Sequence, residues 1–496
     1  MKNEHKWLIV IFLITLFSRL FIAFQIPYLS YDAYLTARQV ESISTTGFPI
    51  FKDDLSFGGR TFYFSPLYYY ILGIGDIFLS LTVAIKLFTN IFASLLIFVI
   101  YFIAKQLTDN IQTSLIASFI SGFIPVYFSS TILSGSIYSI IIPLVFMQLY
   151  FLMNISNKKY VYLSVVLVII TALIHPSSLI LIVTLLIYLL ITFIEGFRKN
   201  NNEIEIILFS TFLVMWIYSL IYKKAFLVHG PAVIYQNIPS EIISRYFAEI
   251  GILDALLKIG LIPFIIGVYI VYKYLFTQKK KSLYLFISMA LTSAILIWLR
   301  LIQPEVGLMF LGVSFTILVA EFCGLFFNYV EKMKFSNKKI FLSGLFILFF
   351  LSSIIPSFSY AFSEIRAAPS EQEIETLLWI KENTPENVTI LSTSKEGFVV
   401  SYFSKRKNVM DSDYLLIDES DERYSDVKEI FVTDSPVKAV SLLTKYDVDY
   451  IYVSNHVKQL YGINKIEYIY PDCFETAYKN QGLRVYKLLC KVEEIR

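Results

Sequence analysis

Asp32 stands in the run Tyr31-Asp32-Ala33-Tyr34, a few residues beyond a hydrophobic segment that ends near Ile26. A carboxylate there can take a proton from a hydroxyl, hold a cation or accept a hydrogen bond from a sugar. The stretch behind it supplies Arg38, Glu41, Asp53, Asp54 and Arg60. Arg38 and Glu41 lie three apart on the helix that Asp32 begins, a spacing that lets them pair. Asp53-Asp54 reads as a solvated turn in preference to a metal site. Asp32 also has a plain structural reading, because an acidic residue caps a helix well.

Further along, Arg300 ends a hydrophobic segment and is followed by Gln303, Pro304 and Glu305. Its planar fork suits a phosphate, donating two hydrogen bonds to one anion, and interface anchoring is the bland alternative. Glu241 and Arg245 are four apart and read as a helical ion pair. Glu249 is left to face a cavity. His175-Pro176 interrupts a hydrophobic run, where a lone histidine commonly serves the turn. Arg19 lies within the first hydrophobic segment and reads as reaching outwards to the interface. Asn387-Val388-Thr389 fits the glycosylation pattern, although a strand there would bury Thr389.

The elements that must position these residues are mostly hydrophobic. The chain has 496 residues, 56% of them hydrophobic and only 16% charged. Several runs match the ~20 residues a helix needs to cross a ~30 Å hydrocarbon layer. Spans are expected near 7–26, 82–104, 112–131, 136–153, 160–175, 177–195, 206–222, 256–275, 283–301, 306–328 and 340–360. Residues 66–80, with Tyr68, Tyr69 and Tyr70, read as an aromatic helix on the membrane surface. Lysines and arginines fall in alternate short connections, at Lys105, Lys158-Lys159, Arg198-Lys199, Lys279-Lys280-Lys281 and Lys332 to Lys339. That bias puts the N-terminus in the cytoplasm and the C-terminal region outside the cell membrane.

The expected fold is therefore a polytopic α-helical membrane protein of about eleven transmembrane helices with a C-terminal extracytoplasmic α/β domain. Residues 1–360 form the membrane domain, with outer loops 27–81 and 223–255, and residues 361–496 the soluble one. Ser370 with Glu373 makes a capping box, and Ser435-Pro436 opens a second helix. Strands are expected at 388–391, 449–453 and 483–488. The region from Ala361 onward holds 23 acidic and 17 basic residues, an asymmetry of topology that does not point to nucleic acid. Cys323, Cys473 and Cys490 are too few for a disulfide scaffold or a zinc site. Cys473 and Cys490 share the outer region and can pair if that compartment is oxidising. No phosphate-cradling glycine-rich loop is present.

This layout resembles the GT-C superfamily of integral membrane glycosyltransferases, nearest to oligosaccharyltransferase catalytic subunits and protein mannosyltransferases. Tyr31-Asp32-Ala33-Tyr34 with Arg38 looks like the family's aspartate after the first span. Ser65-Pro66-Leu67-Tyr68-Tyr69-Tyr70 looks like its surface helix. Arg300 is placed like its arginine near the lipid phosphate. Leu378-Trp379-Ile380-Lys381-Glu382-Asn383-Thr384-Pro385 looks like the helix opening its extracellular domain. The resemblance implies transfer of a sugar from a polyprenyl-phosphate-linked donor to an acceptor hydroxyl on a protein, glycan or lipid. Asp32 would be the base and Arg300 the phosphate ligand. Arg38, Glu41, Asp53, Asp54, His175 and Glu249 are candidate donor or acceptor contacts. A divalent metal, if one binds, would take Asp32.

Two departures stand out. The connection Ser130-Thr131-Ile132-Leu133-Ser134-Gly135-Ser136 lacks the second acidic residue that helps oligosaccharyltransferases bind metal. Ser392-Thr393-Ser394-Lys395-Glu396-Gly397-Phe398 replaces their sequon-reading Trp-Trp-Asp-Tyr-Gly. Two other classes stay in view: a non-catalytic membrane partner of the same fold, and a transporter or lipid flippase. Mid-span stretches hold almost no ionisable groups, which weighs against the transporter. The topology has a direct check. A one-sided reporter fused at Arg496 is expected to read outside, and one in the Lys279–Lys281 loop to read cytoplasmic. A cytoplasmic Arg496 overturns the orientation.

Overall fold

The structure is a computed structural model, and it describes residues 3–197, 200–248, 251–332 and 338–490. The chain packs into two units, each assembled from separate stretches. Met1–Pro27, Phe64–Lys223 and Tyr246–Arg366 make the first; Tyr28–Tyr63, Lys224–Arg245 and Ala367–Arg496 make the second.

The first unit is helical. Among the described residues, Glu4–Ala23, Leu81–Thr108, Asn201–Ile221, Lys281–Trp298, Pro304–Val330 and a segment starting at Phe346 are long and apolar enough to cross a bilayer. A seventh candidate is broken: Ile252–Ile259 and Leu261–Phe276 meet at 102°. The expected span near 256–275 therefore begins only at Leu261. The cause is local. Gly260 has φ +104°, a conformation that side chains with a Cβ avoid, and Pro263 follows within the first turn. The expected span near 112–131 is interrupted too. Ile111–Gly122 stops, Ile124 turns extended before Pro125, and a short helix Pro125–Ser130 follows. The aromatic segment after Pro66 forms the helix Leu67–Asp76. Ten residues reach about 15 Å, half the hydrocarbon thickness.

Arg19 corrects its sequence reading. It does not reach outwards but is almost completely buried. Its Nε donates to Asn90 Oδ1 at 3.0 Å, its Nη2 to Thr131 Oγ1, and its guanidinium lies 4.8 Å from the Phe128 ring centre. Lys86, one turn before Asn90, is equally buried and donates to the Ile26 carbonyl at 2.5 Å. A cation can stay inside an apolar bundle only if each donor finds an acceptor, and these two use neutral ones.

The second unit holds a five-stranded sheet and a two-stranded ribbon. The ribbon pairs β1 (Lys52–Asp53) with β2 (Arg60–Thr61), antiparallel. The sheet contains β3 (Thr389–Leu391), β4 (Lys407–Asn408), β5 (Tyr450–Val453), β6 (Phe474–Asn480) and β7 (Leu483–Leu488). Its order is β4-β3-β5-β7-β6, parallel across β4, β3 and β5 and antiparallel beyond. β3 and β5 are buried at every position, as parallel strands covered on both faces must be. Val409, Met410, Val427, Ile430, Phe431 and Ile451 lie in the core.

The capping box at Ser370 and Glu373 forms as its spacing predicts, and the helix runs Glu371–Asn383. Ser435 caps the helix Pro436–Lys445. Thr389 is buried in β3, which removes the Asn387 acceptor pattern from easy reach. Leu55 to Phe57 adds an outer rung to β4: the Phe57 N–H donates to Asn408 O and the Asn408 N–H to Leu55 O, each at 2.9 Å. Part of the loop after the first hydrophobic segment is thus folded into the sheet.

Two stability predictions follow from this packing. Cys473 and Cys490 form a disulfide that closes the ends of the β6–β7 hairpin. Replacing either with serine is expected to cost about 2–4 kcal/mol, read as earlier loss of hydrogen-exchange protection in β7. Non-reduced peptide mapping that finds two free thiols overturns the pairing.

Glu396 lies fully buried near Glu373, Tyr31 and Tyr452, and its Oε2 accepts from the Thr393 hydroxyl at 2.6 Å. Burial pushes its carboxyl up to about 7 from an ordinary value of 4.5. The folded unit therefore keeps a proton that the unfolded chain releases. The stability this confers is complete below about pH 4.5 and is lost as pH rises towards 7, on the order of 3 kcal/mol in all. Hydrogen exchange at β3, corrected for the intrinsic rate, is expected to show that loss in the native chain and a flatter profile in Glu396→Gln.

Candidate active site

The helix Ala33–Thr46 positions the acidic residues of the stretch after the first hydrophobic segment. Its buried face carries Ala33, Tyr34, Ala37 and Val40. Tyr34 packs against the rings of Tyr402 and Phe403 at 5.0 Å each. The helix stops at Gly47, whose φ of 81° supplies the left-handed cap.

Asp32 sits at the N-cap position, yet its side chain makes no capping hydrogen bond. The carboxylate is exposed, and Oδ1 accepts a 2.7 Å hydrogen bond from the Ser412 hydroxyl. No other side-chain partner of Asp32 occurs among the described residues. The capping explanation therefore loses its contact.

Arg38 and Glu41 do not pair with each other. Arg38 turns inward and holds Asp53 through two bonds, 2.6 Å to Oδ1 and 3.1 Å to Oδ2. Glu41 instead meets Lys405 at 2.9 Å. The solvated-turn expectation for Asp53-Asp54 holds for half of the pair: Asp54 is exposed, but Asp53 is buried. Burial works against the Asp53 charge, and the hydrogen bonds and charge of Arg38, with Arg60 nearby, overcome it and bring its carboxyl below the ordinary value. One residue off in the ribbon register would break this link, because β1 pairs Asp53 directly with Arg60.

Arg60 is the residue the sequence reading left without a role. It is buried and donates from Nη1 to Asp411 Oδ1 at 2.8 Å and to the Asp413 carbonyl at 2.6 Å. Its Nη2 reaches Asp411 Oδ2 at 2.7 Å and Asp53 Oδ2 at 3.5 Å. Its guanidinium also lies over Phe62, 4.3 Å from the ring centre. The result is an alternating chain Arg38–Asp53–Arg60–Asp411 with Ser412 as its next residue. No local motif announces it, since its members are brought together from residues 38 to 411.

Gly397 makes room for this arrangement. A Cβ there would come within 2.3 Å of the Met410 carbonyl oxygen and 2.5 Å of Asp411 Cβ. The stretch Ser392–Phe398 thus serves close packing against the 411 turn.

The remaining candidates lie elsewhere. Glu249 is outside the described residues. Glu241 pairs with Arg245 at 3.4 Å, as its spacing predicts, and with Lys428 at 2.9 Å. His175 belongs to the helical unit and caps a turn: its Nδ1 accepts from the Ser177 N–H at 3.1 Å. Arg300 also belongs to that unit, is exposed, and lies 5.4 Å from the Phe247 ring centre. It follows the helix Lys281–Trp298 with φ +57°. The Arg300 N–H bonds Ile297 O and the Leu301 N–H bonds Leu296 O, each at 2.9 Å. That is a helix-ending turn whose left-handed position is ordinarily filled by glycine. An arginine there costs roughly 1–2 kcal/mol in backbone strain, so local folding does not explain the choice.

Three neighbouring acids are already engaged by protein donors. Arg38 and Arg60 engage Asp53 and Asp411, and Asp413 Oδ1 accepts from the Leu415 N–H. Among the described residues no three His, Cys, Asp or Glu side chains gather as a metal site would require.

No family model matches the chain, and no curated protein matches it. Solved structures do. The archaeal oligosaccharyltransferase AglB from Archaeoglobus fulgidus, in complex with an inhibitory peptide and a dolichol-phosphate, aligns at a TM-score of 0.68 with 13% identity, over 92% of this chain and 70% of that one. The Archaeoglobus fulgidus oligosaccharyltransferase in complex with Zn and sulfate aligns at 0.64 with 14% identity, over 90% and 68%. ArnT from Cupriavidus metallidurans, bound to undecaprenyl phosphate, aligns at 0.56 with 10% identity, over 96% and 97%. The likeness lies in the fold and extends over nearly the whole of this chain.

Proposed function

We propose that this protein is a membrane glycosyltransferase that moves a sugar from a polyprenyl-phosphate-linked donor to an acceptor hydroxyl on the outer side of the membrane. The observation that carries the reading is Asp32: an exposed carboxylate that does not cap its helix and is held by one hydroxyl. The acceptor oxygen attacks the anomeric carbon as its proton passes to Asp32. The bond from that carbon to the donor phosphate oxygen breaks, and the polyprenyl phosphate leaves with the electron pair. Both needs are general, since an alcohol is a weak nucleophile and the leaving group gathers charge in the transition state.

Arg300 is the residue assigned to that charge. Its strained backbone supports the assignment, because strain at an exposed turn is retained where the side chain is used. Eleven spans, a cytoplasmic N-terminus and an extracytoplasmic second unit complete the reading. The lipid phosphates named with AglB and ArnT support the donor class. The acceptor is a protein, a glycan or a lipid. A non-catalytic partner of the same fold is the competing reading, and it has no use for a free Asp32.

Asp32→Asn keeps the shape and removes the base. It is expected to lower transfer from a polyprenyl-phosphate sugar by a factor of about 10²–10⁴, with the protein still folded and inserted. Near-normal turnover would falsify the catalytic role. Arg300→Gly is expected to leave thermal stability unchanged or raised while donor affinity falls. A fall in both together would make Arg300 a structural residue.

A further inference from the structure

Asp32 lies at an exposed helix start, where a carboxylate samples several rotamers. A base in that state spends much of its time turned away from the hydroxyl it must reach. Among the described residues one side-chain contact restrains it, the 2.7 Å hydrogen bond from Ser412. What matters next is whether Ser412 is itself fixed. Its neighbours on both sides are tied down. Asp411 is held at both oxygens by Arg60, and the Asp413 carbonyl by the same guanidinium. The Asp413 N–H donates back to Asp411 Oδ1 at 3.1 Å, and Asp413 Oδ1 accepts from the Leu415 N–H at 3.2 Å. Arg60 is in turn locked by Asp53 and Arg38. Gly397 closes the back of the turn.

We infer that Ser412 is the positioning residue for Asp32, presented by a turn whose geometry Arg60 sets. The inference rests on Asp32 being the base of the proposed reaction. The hydroxyl holds Oδ1 and leaves Oδ2 open to the acceptor. The distant turn at residues 411–413 thereby reaches the chemistry through one side chain, and the acidic neighbours of Ser412 act on it only through the turn.

The test reads Asp32 directly, without a substrate. A water-soluble carbodiimide with a small amine modifies carboxyl groups that it can reach, so the rate at which the Asp32 peptide is labelled at one fixed pH reports how far the carboxylate is restrained. In full-length protein in detergent, Ser412→Ala is expected to raise that rate about five-fold, the equivalent of one hydrogen bond of about 1 kcal/mol, and Ser412→Thr to leave it in place. Ser412→Cys, a weak donor, falls between and serves if the alanine variant does not fold. An unchanged rate in the alanine or cysteine variant overturns the inference.

A second arm uses polyprenyl-phosphate mannose and polyprenyl-phosphate glucose as donor probes. Ser412→Ala is expected to lower kcat about ten-fold with the donor KM unchanged, and Ser412→Thr to restore it. A raised KM with unchanged kcat would make Ser412 a binding contact and overturn the positioning role. If the native protein turns over neither donor, the proposed reaction is what fails, and the labelling rate still decides whether Ser412 sets Asp32.

Discussion

The buried pairing of Arg60 with Asp411 is the interaction on which the α/β unit's outer surface depends. Both partners are almost wholly removed from water. Losing one member of such a pair strands a charge in a low-dielectric interior and typically costs about 3–5 kcal/mol. The penalty makes the geometry stiff. Arg60 ties the turn at Asp411 to the β1–β2 ribbon, Arg38 ties the ribbon to the helix after Asp32, and Ser412 returns to Asp32 itself. A loop that sequence alone would leave to solvent becomes a fixed surface.

The helical unit faces the same problem with a different answer. Arg19 and Lys86 are buried cations that donate to an amide oxygen, a hydroxyl and a backbone carbonyl. No carboxylate lies within ion-pair distance of either among the described residues. In the connection from Ser130 to Ser136 the Thr131 hydroxyl is occupied by Arg19.

The fold is shared with AglB and ArnT at 10–15% identity, which leaves few side chains in common. This chain presents an exposed carboxylate at Asp32 and an exposed arginine at Arg300, after the helix Lys281–Trp298. Asp53 and Asp411 are bound by arginines. The stretch from Ser392 to Phe398 contributes a close-packed glycine and a buried, neutral-leaning Glu396.

The helical framework was legible from local sequence, because an apolar run of sufficient length has few alternatives in a bilayer and because prolines and caps act within a turn. The capping box at Ser370, the Ser435-Pro436 start and the strands at β3, β5 and β7 follow from residues adjacent in the chain. Gly260 and Pro125 could have marked the two broken segments, but apolar content outweighed them in the span assignment. Asp32 was legible as an acid in a telling place; its freedom from capping was not, since that depends on one rotamer. The pairing of Arg38 with Asp53 instead of Glu41 turns on the β1–β2 register. Arg60, Asp411 and Ser412 carry no local signal at all. Sequence determines which groups are expensive to bury, and only the tertiary structure decides which distant partner relieves the cost, because a hydrogen bond needs its two atoms within about 3 Å and chain separation says nothing of that.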